Sequence, residues 1–430
     1  MRTAKTYTAL DAPRMSFALG DVNRMLAASI VLGSMCFNAI LAIVNAHIMP
    51  LSSAHVILGE GLLVLAAAIT ALRAWQVRMT PAIALSAFLL LFAILRGAIT
   101  GEMDPKYFRD VLIIPLFLML GLAFAGGNLT RLVLIAHTVV CVVFVLEIAA
   151  PDLYTMLFQI QDYYINTRGL RLEEFYDTSS ELFVSATRPN ERFIPFIDAP
   201  RASSLFLEPV SLGNYCIIVT AFTVAAWHRL GTMARVLLPA STVLMIVGCD
   251  GRLALVTCVV IVAAAPWVTA LPRRSTLLYA PLLLLGAFAL TYFAELRSGT
   301  DDFAGRLANT VELLARLDAP DLLGLTDTLI VPAVDSGITY LILTQSLPGV
   351  LLLWLFVTFS GSDSTPEQVR FTHALCLYLS LSMLVSYAFL TIKTASLAWF
   401  IQGALQGRGS VSREALLGSM PARSLGDSGR

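Results

Sequence analysis

The chain has 430 residues, 57% of them hydrophobic and 13% charged, where a soluble domain carries about 25% charged residues. That much apolar surface cannot be hidden in a water-soluble core, so a soluble globular protein is excluded and a polytopic membrane protein is expected. Lys+Arg and Asp+Glu balance at 29 each, so net charge gives no reason to expect nucleic acid or another acidic partner.

Residues 1–24 are polar, with Arg2, Lys5, Arg14 and Arg24, and read as a cytoplasmic tail. The apolar run that follows lacks a small-residue cleavage site and reads as a retained first span. A crossing helix needs about 20 mostly apolar residues. Twelve candidates follow, near 25–46, 55–72, 80–95, 109–126, 131–150, 205–227, 235–249, 253–271, 275–294, 336–359, 371–390 and 394–406. Within the sixth, Pro209 suits the first turn of a helix, where its missing N–H costs nothing, so the span is expected to begin there. With the N-terminus in the cytoplasm, nearly every short inner turn carries a basic residue (Arg73 and Arg78, Arg131, Arg229 and Arg235, Arg273 and Arg274, Arg370), as the positive-inside rule asks. Both termini are then cytoplasmic. The transmembrane domain is 25–406, and the tail 407–430, rich in Gly, Ser and Arg, is expected to be disordered. Three longer segments face the other side: 96–108, and the two long periplasmic loops 151–204 and 295–335. No soluble domain stands apart and no repeat is visible.

The chemistry is expected at that outer face. None of the five histidines falls in the three long outer segments, which argues against a metal cluster or a Ser-His-Asp relay there. The six cysteines all lie in apolar stretches and read as small buried hydrophobes. Arginine is the side chain best suited to bidentate phosphate contacts, and it stays charged in apolar surroundings. Arg168, Arg171, Arg188, Arg192, Arg297 and Arg316 read as solvated loop residues. Arg201, Arg252 and Arg306 differ, because each sits at or near the mouth of a span. The stretch "RASSLFLEPVSLGNY" (201–215) opens a span with an arginine and Glu208. "VGCDGRLAL" (247–255) interrupts an apolar run with Asp250 and Arg252, and an ionisable pair at membrane depth is a functional-site hypothesis by default. Residues 303–328 read as an amphipathic helix and a turn, with Arg306 at the start. The aromatics of the big loop, Tyr154, Phe158, Tyr163, Tyr164, Phe175, Tyr176, Phe183, Phe193 and Phe196, read as an interfacial belt, with sugar stacking as the alternative.

In this order the segments resemble the O-antigen polymerase and ligase superfamily of bacterial inner-membrane proteins. Arg201, Phe206, Glu208 and Pro209 match an arginine followed by a Phe-x-x-Pro-like turn that opens a span. Asp250-Gly251-Arg252 matches a Ser-Arg-like turn. Gly305, Arg306, Pro320 and Gly324 match a Gly-Arg helix ending in a Pro-x-x-x-Gly turn. Asp335, Ser336, Tyr340 and Pro348-Gly349 match a polar patch opening a span with a small-residue kink. The resemblance covers roughly residues 195–405. The patch at 335 lacks the His-Asn pair common there in the superfamily, whose histidine is functionally important in ligases; its absence favours a polymerase, most similar to those of xanthan-type exopolysaccharides.

The resemblance implies an all-α, glycosyltransferase-C-like fold of about twelve spans with a large periplasmic loop. It implies a metal-independent glycosyltransferase with no cofactor, joining oligosaccharide repeats carried on undecaprenyl diphosphate. Its partners would be that lipid-linked oligosaccharide, the bilayer, and chain-length or export proteins of the same pathway. Arg201, Arg252 and Arg306 would hold the diphosphate; Glu208, Asp250 and Asp335 are the candidates to accept or orient the acceptor hydroxyl's proton. The competing classes are a glycan ligase, a lipid-linked oligosaccharide flippase and a structural subunit of a secretion complex. A flippase would be expected to show paired repeats and broken mid-membrane helices.

Overall fold

The computed structural model describes residues 12–101, 104–188, 192–194, 199–300 and 302–418, with side chains described within 20–407. Among the described residues the secondary structure is helical and contains no strand. In chain order the helices are α1 (Ala12–His47), α2 (Ser53–Arg73), α3 (Thr80–Thr100), α4 (Pro105–Ala123), α5 (Leu129–Ala149), α6 (Pro151–Phe158), α7 (Ile160–Arg168) and α8 (Pro209–Ala226). They continue with α9 (Thr232–Cys249), α10 (Arg252–Val268), α11 (Tyr279–Phe293), α12 (Phe303–Arg316), α13 (Ala319–Leu322), α14 (Gly337–Phe359), α15 (Pro366–Met383) and α16 (Ile392–Gly418). The first helix thus begins at Ala12, inside the segment read as a polar tail, and the last runs through Gly418, past the expected break at Gly407.

Each of the twelve expected spans coincides with a helix, but among the described residues only eight helical segments, those that include α1, α2, α3, α5, α8, α9, α11 and α14, are long and apolar enough to cross a membrane. The other four depart for visible reasons. The first turns of α4 carry Lys106, Arg109 and Asp110, and α10 has 17 residues. α15 and α16 contain many polar side chains, among them Gln368, Thr372, His373, Lys393, Thr394 and Gln402, all buried. A helix sheathed by protein can carry polar groups that a lipid-facing helix cannot. The pattern of burial agrees: 78% of the α8 window and 61% of the α14 window are buried, against 17% for α2 and α11.

At the centre α4 and α16 pack against each other through glycines. A Cβ on Gly403 would meet the Leu118 carbonyl at 2.0 Å, and one on Gly121 the Phe400 carbonyl at 2.2 Å. Small residues let membrane helices approach to backbone contact. Gly403→Ala is therefore expected to lower the unfolding free energy by about 1–3 kcal/mol, the usual cost of overpacking. Gly61→Ala and Gly286→Ala, in the interiors of α2 and α11 where nothing lies within 4 Å, should not lower thermal stability, since alanine is the better helix former.

The long segment 151–204 folds down onto the bundle. α6 and α7 pack against α1, and α7 also against α2. Tyr154, Phe158, Tyr163, Tyr164 and Phe175 are buried, while Tyr176 is exposed; Phe196 lies outside the described residues. The interfacial belt expected for these aromatics is thus replaced by a packed core: the rings pair with one another, Tyr154 with Phe158 and Tyr163 with Tyr164. The Tyr154 hydroxyl donates to the Ser204 carbonyl at 2.8 Å. α12 likewise packs its apolar stripe on α11 and α14, with Leu307 and Leu313 buried.

Candidate functional site

The chain enters α8 through a strained lead-in. Ser204 and Leu207 both have left-handed backbones, with φ of 49° and 61°, which costs a non-glycine residue of order 1–3 kcal/mol. The strain is held by a dense set of contacts. The Glu147 carboxylate accepts from the Ser203 amide at 2.9 Å and the Ser204 amide at 2.6 Å. The Ser204 hydroxyl donates to the Val140 carbonyl at 2.7 Å. Pro209 then takes the first turn of α8, as its chemistry dictates. Upstream, the Arg201 amide donates to Ala186 O and the Ala202 amide to Gly248 O, each at 2.9 Å, tying the lead-in to the long loop and to the end of α9.

The turn between α9 and α10 has equally local causes. Asp250 ends α9 in a left-handed conformation, φ 52° and ψ 41°, which Asp tolerates better than most residues. Gly251 follows, and Arg252 opens α10. The Asp250 carboxylate is 1% exposed and lies 3.1 Å from Arg201 and 4.0 Å from Arg252. Its other oxygen accepts from the Phe193 amide at 2.8 Å.

These elements wall a cavity of about 780 Å³ with the start of α12 and residues Val385 and Ser386. Arg201, Arg252 and Arg306 all line it, and so do Arg188 and Arg192. The three arginines singled out from sequence therefore come together. Arg188 and Arg192, read from sequence as solvated loop residues, belong with them; the segment that carries them is tied back to the turn by the Asp250–Phe193 and Arg201–Ala186 contacts. Arg192 donates to the carbonyls of Ala199, Pro200, Val247 and Gly248 at 2.6–3.1 Å, so it caps the C-terminal end of α9. Arg306 pairs with Asp335 at 3.3 Å.

Among the described residues, five guanidiniums (188, 192, 201, 252, 306) meet three carboxylates (Asp250 and Asp302 in the wall, Asp335 on Arg306), an excess of two positive charges. The electrostatics register that excess. Burial, then the guanidiniums of Arg306 and Arg201, push Arg188 below the ordinary arginine value. Burial also pushes Arg201 down; Asp250 opposes this, and Arg252 and Arg192 reinforce it. A polyanion would relieve this repulsion, and guanidinium forks are suited to phosphate oxygens. No three His, Cys, Asp or Glu side chains among the described residues come together as a metal site.

The carboxylates proposed from sequence divide three ways. Asp250 lies in the cavity wall, orienting Arg201 and Arg252. Asp335 sits beside Arg306 with a side chain 46% exposed. Glu208 is not in the cavity wall. It is buried in an ion-pair network with Lys393 at 2.8 Å and Arg168 at 2.5 Å, and it accepts from the Tyr164 and Ser211 hydroxyls at 2.9 and 3.0 Å. Every lone-pair direction it offers is thus engaged by Arg168, Lys393, Tyr164 and Ser211, an architectural setting apart from the arginine cavity. Arg168, read as solvated, is 45% exposed as expected and also pairs with Glu208, its guanidinium stacked over Tyr164.

Lys393 escaped the sequence reading, although a lone lysine in "FLTIKTASLAWF" is the signal that an intramembrane charge gives. A second network missed from sequence joins Arg109 to Glu60 and Asp110, with the Tyr340 hydroxyl donating to Asp110 at 2.9 Å. The kink expected at Pro348-Gly349 falls at Ser346, φ 66° and ψ 158°, two residues ahead of the proline whose ring disfavours helical backbone before it.

Comparison with family models, with curated proteins and with solved structures finds no match to this chain.

Proposed function

We propose that the chain is a polysaccharide polymerase of the bacterial inner membrane, with twelve spans in a glycosyltransferase-C-like arrangement and both termini in the cytoplasm. It would join oligosaccharide repeat units carried on undecaprenyl diphosphate at the periplasmic face. One observation carries the reading: arginines from the long loop, the α8 lead-in, the α9–α10 turn and α12 line one cavity at the same end of the bundle. The ordered motifs shared with the O-antigen polymerase and ligase superfamily support it from the sequence side.

The reaction sets an electrostatic task. The acceptor hydroxyl oxygen bonds to the anomeric carbon of the donor glycan, the bond from that carbon to the diphosphate oxygen breaks, and the hydroxyl proton leaves. Lipid diphosphate departs with the bonding pair. Cations already in place in a low-dielectric pocket stabilise that developing charge without reorganisation. Arg201, held by Asp250, and Arg306, held by Asp335, are preorganised in this way. Arg252, 4.0 Å from Asp250 and with a side chain 50% exposed, lines the same cavity. Asp335 is the most open of the three proposed carboxylates and is the candidate to take the acceptor proton. Chain-length or export proteins of the same pathway would receive the product.

Deleting the protein in its host and analysing lipid-linked glycans tests the reading. The expected result is loss of polymer with single lipid-linked repeats accumulating on the periplasmic side. Intact polymer stranded on the lipid would mean a ligase instead, and repeats trapped on the cytoplasmic side a flippase.

A further inference from the structure

A second cavity, of about 440 Å³, lies at the other end of the bundle. α14 fixes this: its first residues follow Asp335, beside the arginine cavity, and its last, Phe356 and Phe359, line the second cavity. The 23 residues between correspond to roughly 34 Å of helix. The rest of the wall comes from Arg78 in the turn before α3, Pro81 in its first turn, the inner part of α4 (Leu118), Arg273 in the turn before α11, the loop Ser360–Ser364, and Gln406 of α16.

Two donors in this wall have no partner. The Gln406 side-chain amide nitrogen and the Arg273 Nε are both buried and make no hydrogen bond among the described residues. Gln406 is only 7% exposed. A buried donor left unpaired costs about 1–3 kcal/mol, so native structures rarely leave two at one place without a group to meet them. Their neighbours share one sign. Arg273 lies over the Phe359 ring, 5.9 Å from its centroid, and Arg78 reaches the Gln406 carbonyl at 3.4 Å. Against these two arginines the wall sets one carboxylate, the exposed Asp363. The loop adds hydroxyls, with Ser362 and Ser364 bonded to each other at 2.8 Å.

We infer that this cavity is a second anion site, binding a phosphate ester at the membrane face opposite the arginine cavity. Two guanidiniums, an amide and serine hydroxyls supply more donors than the two oxygens of a carboxylate use, and a phosphate has the oxygens to match. The volume exceeds that of a bare phosphate, and the apolar wall of Pro81, Leu118, Phe356 and Phe359 leaves room for the group it esterifies. The chemistry is shared by an anionic lipid headgroup of that leaflet and by a soluble phosphate compound.

The test is thermal unfolding of the full-length protein in nanodiscs, in two arms. One adds inorganic phosphate to phosphatidylcholine discs; the other exchanges phosphatidylcholine for phosphatidylglycerol without phosphate. The arginine cavity also attracts anions, so the deciding quantity is the difference between wild type and the variants Arg273→Gln and Gln406→Leu. Each variant should weaken the apparent affinity about tenfold, the value of one hydrogen bond to a charged group. Loss in the phosphate arm would identify a soluble ligand, and loss in the phosphatidylglycerol arm a lipid headgroup; either supports the site. Should Arg273→Gln not fold, Gln406→Leu decides alone, because it removes no charge. Stabilisation equal in wild type and variants in both arms, or absent from wild type, would overturn the inference.

Discussion

Replacing Arg201 by alanine is expected to abolish polymer formation while the protein stays in the membrane at its normal level. Arg201 is the most buried of the three arginines first proposed for the diphosphate, with a side chain 13% exposed, and it is aimed by Asp250 at 3.1 Å. Removing one preorganised donor from a site of developing negative charge costs about 100- to 1,000-fold in rate. Arg201→Lys should recover only part of this, since an ammonium keeps the charge and loses the planar fork. Arg306→Ala should behave similarly, whereas Arg192→Ala should act chiefly on stability, because that side chain is spent on four backbone carbonyls. The readout is glycan chain length beside protein level in the same membranes. Wild-type polymer from Arg201→Ala would remove it from the diphosphate site.

The second large effect belongs to Glu208, and it is an effect on stability. Glu208→Gln removes the negative charge that compensates the buried Lys393 ammonium, leaving it only neutral acceptors such as the Phe206 carbonyl at 3.2 Å. Breaking a buried ion pair from one side costs about 3–5 kcal/mol. Lys393→Met should be comparably damaging, and the double variant should recover much of the loss, because the one charge it leaves without its partner, Arg168, has a side chain 45% exposed to water.

The sign with pH follows. Burial raises the Glu208 carboxyl, but Arg168 and then Lys393 outweigh it and hold it well below the usual carboxylate range. The stability this adds is fully present above the unfolded value, about 4.3, and is lost as pH falls below that toward the folded value. Glu208→Gln should therefore flatten the acid limb of the unfolding curve. An unaltered acid limb, with wild-type stability and lost activity, would return Glu208 to a catalytic role.

What could be read from residues alone follows the physics of each signal. Hydropathy located every long helix, because lipid demands a continuous apolar run. It was least informative for α4 and α16, whose surroundings are protein, so that Lys393, Arg109 and Asp110 are tolerated. The Asp250-Gly251-Arg252 turn and Pro209 were legible because their constraints are local: a left-handed cap, a tight turn and a helix start. The burial of Tyr154 and Tyr164 was not legible, because an aromatic at a membrane interface and one under a folded loop have the same composition. Arg188 and Arg192 were misplaced for a related reason. Their position depends on contacts with the α9–α10 turn some 50 to 60 residues away, as in the 57-residue separation of Phe193 and Asp250. The surroundings of Glu208 were not legible because its motif position says nothing about Arg168 and Lys393, which reach it from opposite sides in sequence.

The most direct test of the central proposal is reconstitution. Purified protein in liposomes would be given undecaprenyl-diphosphate-linked repeat units from its own host, with no other protein, and the products resolved by length. The expected product is a ladder of lipid-linked glycans longer than one repeat, with one undecaprenyl diphosphate released per bond formed, and no ladder from Arg201→Ala. Single repeats that persist unextended with the wild-type protein, under conditions where it is folded, would contradict it.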